Sequence, residues 1–173
     1  LEKNSKIAII SKNCAHWIMS DFAIMMAGHI SVPLYPNLNA ETLEKILKHS
    51  ETKVLFVGKL DDYASMKHGV SKDIKCITYP FYSEDYPRWD ELVKDIRPVM
   101  DDIVRDENDI ATLIYTSGTT GEPKGVMHKF FNFSFASTNA VNALNLNSES
   151  FFSYLPLSHI AERLLVEMGS LYT

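Results

Sequence analysis

Ile110-Ala-Thr-Leu-Ile-Tyr-Thr-Ser-Gly-Thr-Thr-Gly-Glu-Pro-Lys-Gly125 is the stretch whose reading decides the fold. Its first part, Ile110 to Tyr115, is an apolar run and predicts a buried strand. Its second part packs hydroxyls, glycines and one lysine into a tight loop. Gly118, Gly121 and Gly125 lack a Cβ, so their backbone N–H groups can approach an anion closely and take up positive φ where needed. Thr116, Ser117, Thr119 and Thr120 add hydroxyl donors, and Lys124 adds a mobile positive charge. That chemistry suits a polyphosphate, and the carboxyl end of a strand is where open α/β sheets place their ligands. Clusters of Ser, Thr, Gly and Pro between strands are ordinarily plain turns. The ordered Pro123-Lys124-Gly125 at the loop's end sets this one apart. It is not a Walker A loop, because Lys124 is followed by Gly125 where that motif needs Ser or Thr.

Working outward, the amino-terminal part alternates strand and helix. Lys6 to Ser11 predicts a strand, and Ala15 to Ala27 a helix with Ile18, Phe22 and Met25 on its inner face and Gly28 as its stop. Met19, Met25 and Met26 are expected to fill core. Ile30 to Leu34 predicts a second strand. Asn39 is placed to cap a helix running through His49, with Leu43, Ile46 and Leu47 inward. Lys53 to Val57 predicts a third strand, and this spacing argues for parallel pairing through right-handed crossovers. Cys76 to Tyr79 reads as a strand, Tyr79 to Pro87 as loop, Trp89 to Asp95 as a short helix, and Asp101 to Asp109 as a solvated acidic connector. Past the loop, Gly125 to His128 reads as a strand and Phe130 to Leu144 as a helix. For Phe130, Phe131, Phe133 and Phe135 core packing is the preferred reading. Phe151 to Tyr154 reads as another strand, and a helix opens near His159. The fold class expected is α/β: layered sheets of parallel βαβ units flanked by helices. Residues 1–105 form a first βαβ block and residues 106–173 a phosphate-loop block.

Composition narrows the function classes. The 173 residues can build one sizeable core, and 46% hydrophobic with 23% charged residues is ordinary for a globular chain. A net charge of −5, with no basic block, argues against a nucleic-acid partner. Cys14 and Cys76 form no C-x-x-C pair and read as free cytosolic thiols. Trp17 to Ile30 is too short and too polar to span a bilayer. His16, His29, His49, His68 and His128 show no metal-ligand spacing and receive no catalytic role. The chain opens at Leu1 and stops at Thr173, which is expected of a piece of a longer protein.

At Tyr115 to Gly125 the chain resembles the adenylate-forming enzymes, whose signature loop reads Tyr/Phe-Thr-Ser-Gly-Ser/Thr-Thr-Gly-x-Pro-Lys-Gly. Leu155-Pro-Leu-Ser-His-Ile-Ala-Glu-Arg163 is similar to a second motif of that family, and its His-x-x-Glu-Arg ending looks most like the long-chain fatty acid branch. Ile7 to Ile10, Asn13 to Trp17 and Val32 to Pro36 resemble the family's opening, so the likeness runs over nearly the whole chain.

The resemblance implies an AMP-forming acyl-CoA synthetase acting on a fatty acid, with ATP and Mg²⁺ required and coenzyme A as co-substrate. It implies that Thr116, Ser117, Gly118, Thr119, Thr120, Gly121 and Lys124 hold the nucleotide phosphates, with Thr119 or Thr120 touching Mg²⁺. It places His159 beside the reacting carboxylate. Arg163 is expected to face the mouth of the acyl tunnel. The family's Tyr-Gly-x-Thr-Glu segment, ribose-binding Asp, Arg and catalytic Lys do not occur before Thr173, so this stretch by itself is expected to be inactive. A cytoplasmic setting is expected; peripheral membrane contact and a homodimer stay open. Two alternatives stand beside this reading: another adenylating ligase, such as an aryl-CoA ligase or a peptide-synthetase adenylation domain, and a non-catalytic nucleotide-binding fragment.

Overall fold

A computed structural model of the chain describes residues 1–82, 85–99, 104–117 and 122–172. Six strands form one sheet in the order β4-β3-β1-β2-β5-β6. They are β1 (Lys6–Ile10), β2 (Ile30–Leu34), β3 (Val54–Val57), β4 (Lys75–Thr78), β5 (Ile110–Ser117) and β6 (Pro123–Lys129). The first five run parallel, and β6 folds back antiparallel on β5 as a hairpin. The helices are α1 (Ala15–Met26), α2 (Ala40–His49), α3 (Tyr63–Met66), α4 (Trp89–Val93), α5 (Phe130–Leu144), α6 (Ile160–Glu162) and α7 (Gly169–Tyr172). This is the expected α/β class, built on one sheet among the described residues, and both sequence blocks contribute strands to it.

The parallel strands are apolar runs because both sheet faces are covered. Ala8, Ile10, Val32, Leu34, Leu55 and Val57 pack with α2 through Leu43, Ile46 and Leu47. The alternate residues Ile7 and Ile9 meet Trp17 and Ile24 of α1 on the other face. Asn39 caps α2 as expected, its Oδ1 accepting from Thr42 N at 2.8 Å. Gly28 ends α1 with φ +82°.

One residue of β2 opens a gap in the sheet. Ile30 N donates to Ser5 O on the β1 side, so Ser31 and Pro33 turn their backbone groups toward β5. Pro33 has no N–H to give, and the β2–β5 register stops at Ser31↔Thr112. Past that pair the two strands enclose a cavity between them.

Several expectations give way. The buried stripe of α1 is Trp17, Ser20, Asp21, Ile24 and Met25, rotated from the predicted face, with Ile18 and Phe22 only half-buried. A tryptophan fills the core there better than Ile18, and the rotation leaves Met19 and Met26 exposed. The connector before β5 is not simply solvated. Arg105 pairs with Asp109 at 3.1 Å, donates to Met25 O at 2.7 Å and lies over the Phe130 ring; residues 101–103 lie outside the described set. Among the phenylalanines only Phe133 is buried; Phe131 and Phe135 stack on each other at the surface. Phe151 to Tyr154 is not a strand. Asn13 holds this segment instead of a ladder: its Nδ2 donates to Ser153 Oγ and Leu155 O, and its Oδ1 accepts from Leu157 N. The helix near His159 does form, but Arg163–Met168 within it winds as a π-helix. Cys14 and Cys76 are free thiols. Among the described residues no helix is long and apolar enough to cross a membrane.

Candidate nucleotide site

The β5–β6 hairpin carries both arms of the loop. Thr116 lies opposite Lys124, and Ser117 opposite Pro123. Gly118, Thr119, Thr120 and Gly121 lie outside the described residues. The arms rise at the carboxyl end of β5, beside the cavity that Pro33 leaves open. This cavity, about 630 Å³, is lined by Leu34, Tyr35 and Leu38 of the β2 end, Thr42 and Ile46 of α2, and Thr116 and Pro123 of the hairpin. Its wall is apolar with hydroxyls at the rim, and burial pushes the Tyr35 phenol up from its ordinary value. Lys124 is exposed, and among the described residues it forms no ion pair.

Gly125 was expected to bring a bare backbone N–H close to an anion, and its missing Cβ has a use inside the hairpin as well. It sits inside β6 opposite Tyr115, and a Cβ there would come within 3.1 Å of Tyr115 Cζ. Its bare backbone gives the Tyr115 ring somewhere to lie. Tyr115 is 5% exposed, and burial raises its pKa. Its hydroxyl is 2.7 Å from His49 Nδ1 at the last turn of α2. The other arm is tied to the same helix, with Lys45 Nζ 3.1 Å from both Glu122 and Glu41.

His159 is half-buried and caps α6, its Nδ1 accepting from Ala161 N at 3.2 Å. That bond leaves Nε2 as the protonated nitrogen. Arg163 is fully buried, which corrects its expected place at a tunnel mouth. Its NH2 group pairs with Asp21, its Nε donates to Glu167 at 3.2 Å, and its NH1 group donates to Thr112 Oγ1 at 2.8 Å. The guanidinium also lies over the Trp17 and Phe133 rings. Asp21 accepts in turn from Ser31 Oγ. Burial, together with the nearby Asp21 charge, pushes the Glu167 carboxyl up to about 8. The arginine is therefore committed to the core beneath β5.

Among the described residues no group of three or more His, Cys, Asp or Glu is placed to hold a metal ion. Thr119 and Thr120, the expected magnesium contacts, fall outside them.

The profile of the AMP-binding enzymes matches residues 1–173. The chain belongs to that family. Similar proteins include long chain acyl-CoA synthetase 4 of Arabidopsis thaliana, 31% identical over 96% of this chain, and fatty acyl-CoA synthetase A of Dictyostelium discoideum, 34% identical over 97%. This chain spans only 28% and 27% of their respective lengths. The fold is that of a long-chain-fatty-acid-CoA ligase from Archaeoglobus fulgidus, with TM-score 0.82 and 23% identity over 98% of this chain and 34% of that one. It is shared by o-succinylbenzoate coenzyme A synthetase from Bacillus subtilis, with TM-score 0.77 and 24% identity over 99% of this chain and 43% of that one.

The residues that the sequence reading passed over are His49, Lys45 and Asp21. Asp21 had a signal: it stands four residues after Trp17 and four before Met25, so a charge lies on the inward stripe of a helix and demands a buried partner. His49 and Lys45 had none, since their partners are 66 and 77 residues away.

Proposed function

We propose that this chain forms the nucleotide-phosphate site and part of the acyl-site wall of an AMP-forming long-chain acyl-CoA synthetase. In that reaction a fatty-acid carboxylate attacks the α-phosphorus of ATP and pyrophosphate leaves. The thiol of coenzyme A then attacks the acyl carbon and AMP leaves. The observation that carries the reading is the pairing of Thr116 with Lys124 at the carboxyl edge of a parallel sheet, beside a cavity of about 630 Å³. The names of the two relatives support the substrate class, and the Bacillus subtilis neighbour was solved with ATP and magnesium.

Within this reading Thr116 and Ser117 donate to phosphate oxygens, together with the backbone and hydroxyls of Gly118 to Gly121. Lys124 neutralises charge that grows on the departing pyrophosphate. Among the described residues the cavity lining offers hydroxyl oxygens and no carboxylate, which fits a magnesium ion carried in on the phosphates, with Thr119 or Thr120 as its protein ligand. Bound there, magnesium would supply further charge neutralisation. His159, which presents an N–H at Nε2, is assigned to the reacting carboxylate. A cytoplasmic setting belongs to the same proposal.

The test is ATP–pyrophosphate exchange by the full-length protein with a panel of fatty and aromatic carboxylates. Lys124→Ala should slow fatty-acid-dependent exchange about a hundredfold, the worth of one well-placed donor of roughly 3 kcal/mol. An unchanged rate overturns the assignment of the loop, and exchange driven only by aromatic acids overturns the substrate class.

A further inference from the structure

We infer that His49 is a positioning residue for the phosphate loop, acting through Tyr115; this rests on the loop's proposed role in holding ATP. Tyr115 is the residue immediately before Thr116, so its side chain fixes the start of the incoming arm. Beyond its apolar neighbours in the core, two contacts place its ring. Below it lies Gly125, whose absent Cβ leaves the space the ring occupies. At its tip the hydroxyl meets His49 Nδ1 at 2.7 Å, with the two rings edge-on at 88° and 5.7 Å apart.

Packing alone would need only the ring. The hydroxyl adds a directional tie to the last turn of α2, and the same helix holds the outgoing arm through Lys45 and Glu122. Lys45 and His49 are one helical turn apart, so one rigid face spans both arms of the loop. α2 also supplies Thr42 and Ile46 to the cavity wall. Its register therefore sets both the pocket and the two arms of the hairpin beside it. His49 is itself exposed, which separates its contribution from the core.

The experiment uses the full-length enzyme and ATP–pyrophosphate exchange at saturating fatty acid, with His49→Ala, His49→Asn, Tyr115→Phe and the His49→Ala/Tyr115→Phe pair. Losing one tie of ordinary hydrogen-bond strength should raise the KM for ATP about fivefold. The effect on kcat should stay within about twofold, because the tie organises binding. His49→Asn, which keeps a polar atom near the Nδ1 position, should restore most of the KM. Tyr115→Phe should reproduce the His49→Ala value, and the double variant should add nothing further, as expected of one shared interaction. A KM unchanged in His49→Ala, or additive effects in the double variant, overturns the inference. Lys124→Ala, run in parallel, keeps the two readings apart. If it abolishes exchange while His49→Ala leaves KM untouched, only the role of His49 falls. If it too leaves exchange unchanged, the loop assignment falls and His49 with it.

Discussion

Two polar contacts leave β5 from residues three apart and reach opposite surroundings. Thr112 turns to Arg163, inside a network whose members are all buried. Tyr115 turns to His49, at the wet end of α2. The first sits where an unpaired charge has no water to fall back on; the second joins a buried hydroxyl to an exposed imidazole, where water can stand in for the histidine. The interior network should therefore govern whether the chain folds. The rim contact should govern how well the folded chain holds its ligand.

The largest effect is expected at Asp21. Replacing it with alanine removes the counter-ion of a buried guanidinium and should cost about 3–5 kcal/mol in stability, read from urea unfolding. A loss of under about 1 kcal/mol would erase the contrast between the two contacts.

The next concerns pH. Glu167 ordinarily titrates near 4.5, and in the folded chain at about 8. Between those values the unfolded chain gives up the proton while the folded chain keeps it. Stability from this group is thus full below about 4.5, falls as pH rises toward 8, and levels off above, with a slope of at most about 1.4 kcal/mol per pH unit. Glu167→Gln should flatten that slope, which unfolding midpoints at pH 5, 6.5 and 8 would reveal. A wild-type profile that rises over this window would contradict the buried, protonated carboxyl.

Gly125→Ala should cost about 1–2 kcal/mol, because the Tyr115 ring must yield to the new methyl. It should also raise the KM for ATP by displacing that ring. The smallest change in stability is expected from Lys45→Met. Its ion pairs are with solvent-exposed carboxylates, so the melting temperature should hold while the KM for ATP rises at low salt and the difference fades at high salt.

The same contrast explains what the sequence could announce. Strands β1 to β3 and helix α2 were legible because apolar periodicity and the Asn39 cap are local signals. The loop was legible as a fixed run of residue types. Phe151 to Tyr154 has the composition of a strand, yet among the described residues it pairs with no strand, and Asn13 ties it down from 140 residues away. Arg163 stood in a motif whose exposed chemistry was easy to imagine, but its neighbours Asp21 and Thr112 come from α1 and β5, and only the packed fold brings the three together. The packing of Gly125 against the Tyr115 ring becomes visible only when the hairpin register is known.

Among the described residues, β6 is the last strand on its side of the sheet. Its outward amides and carbonyls form a ready template for any extended peptide that arrives in register. Val126 and Met127 would make such a stray addition adhesive. Pro123, Lys124 and Lys129 act as deterrents along the same margin, the proline by withholding an amide and the lysines by repelling a like-charged copy.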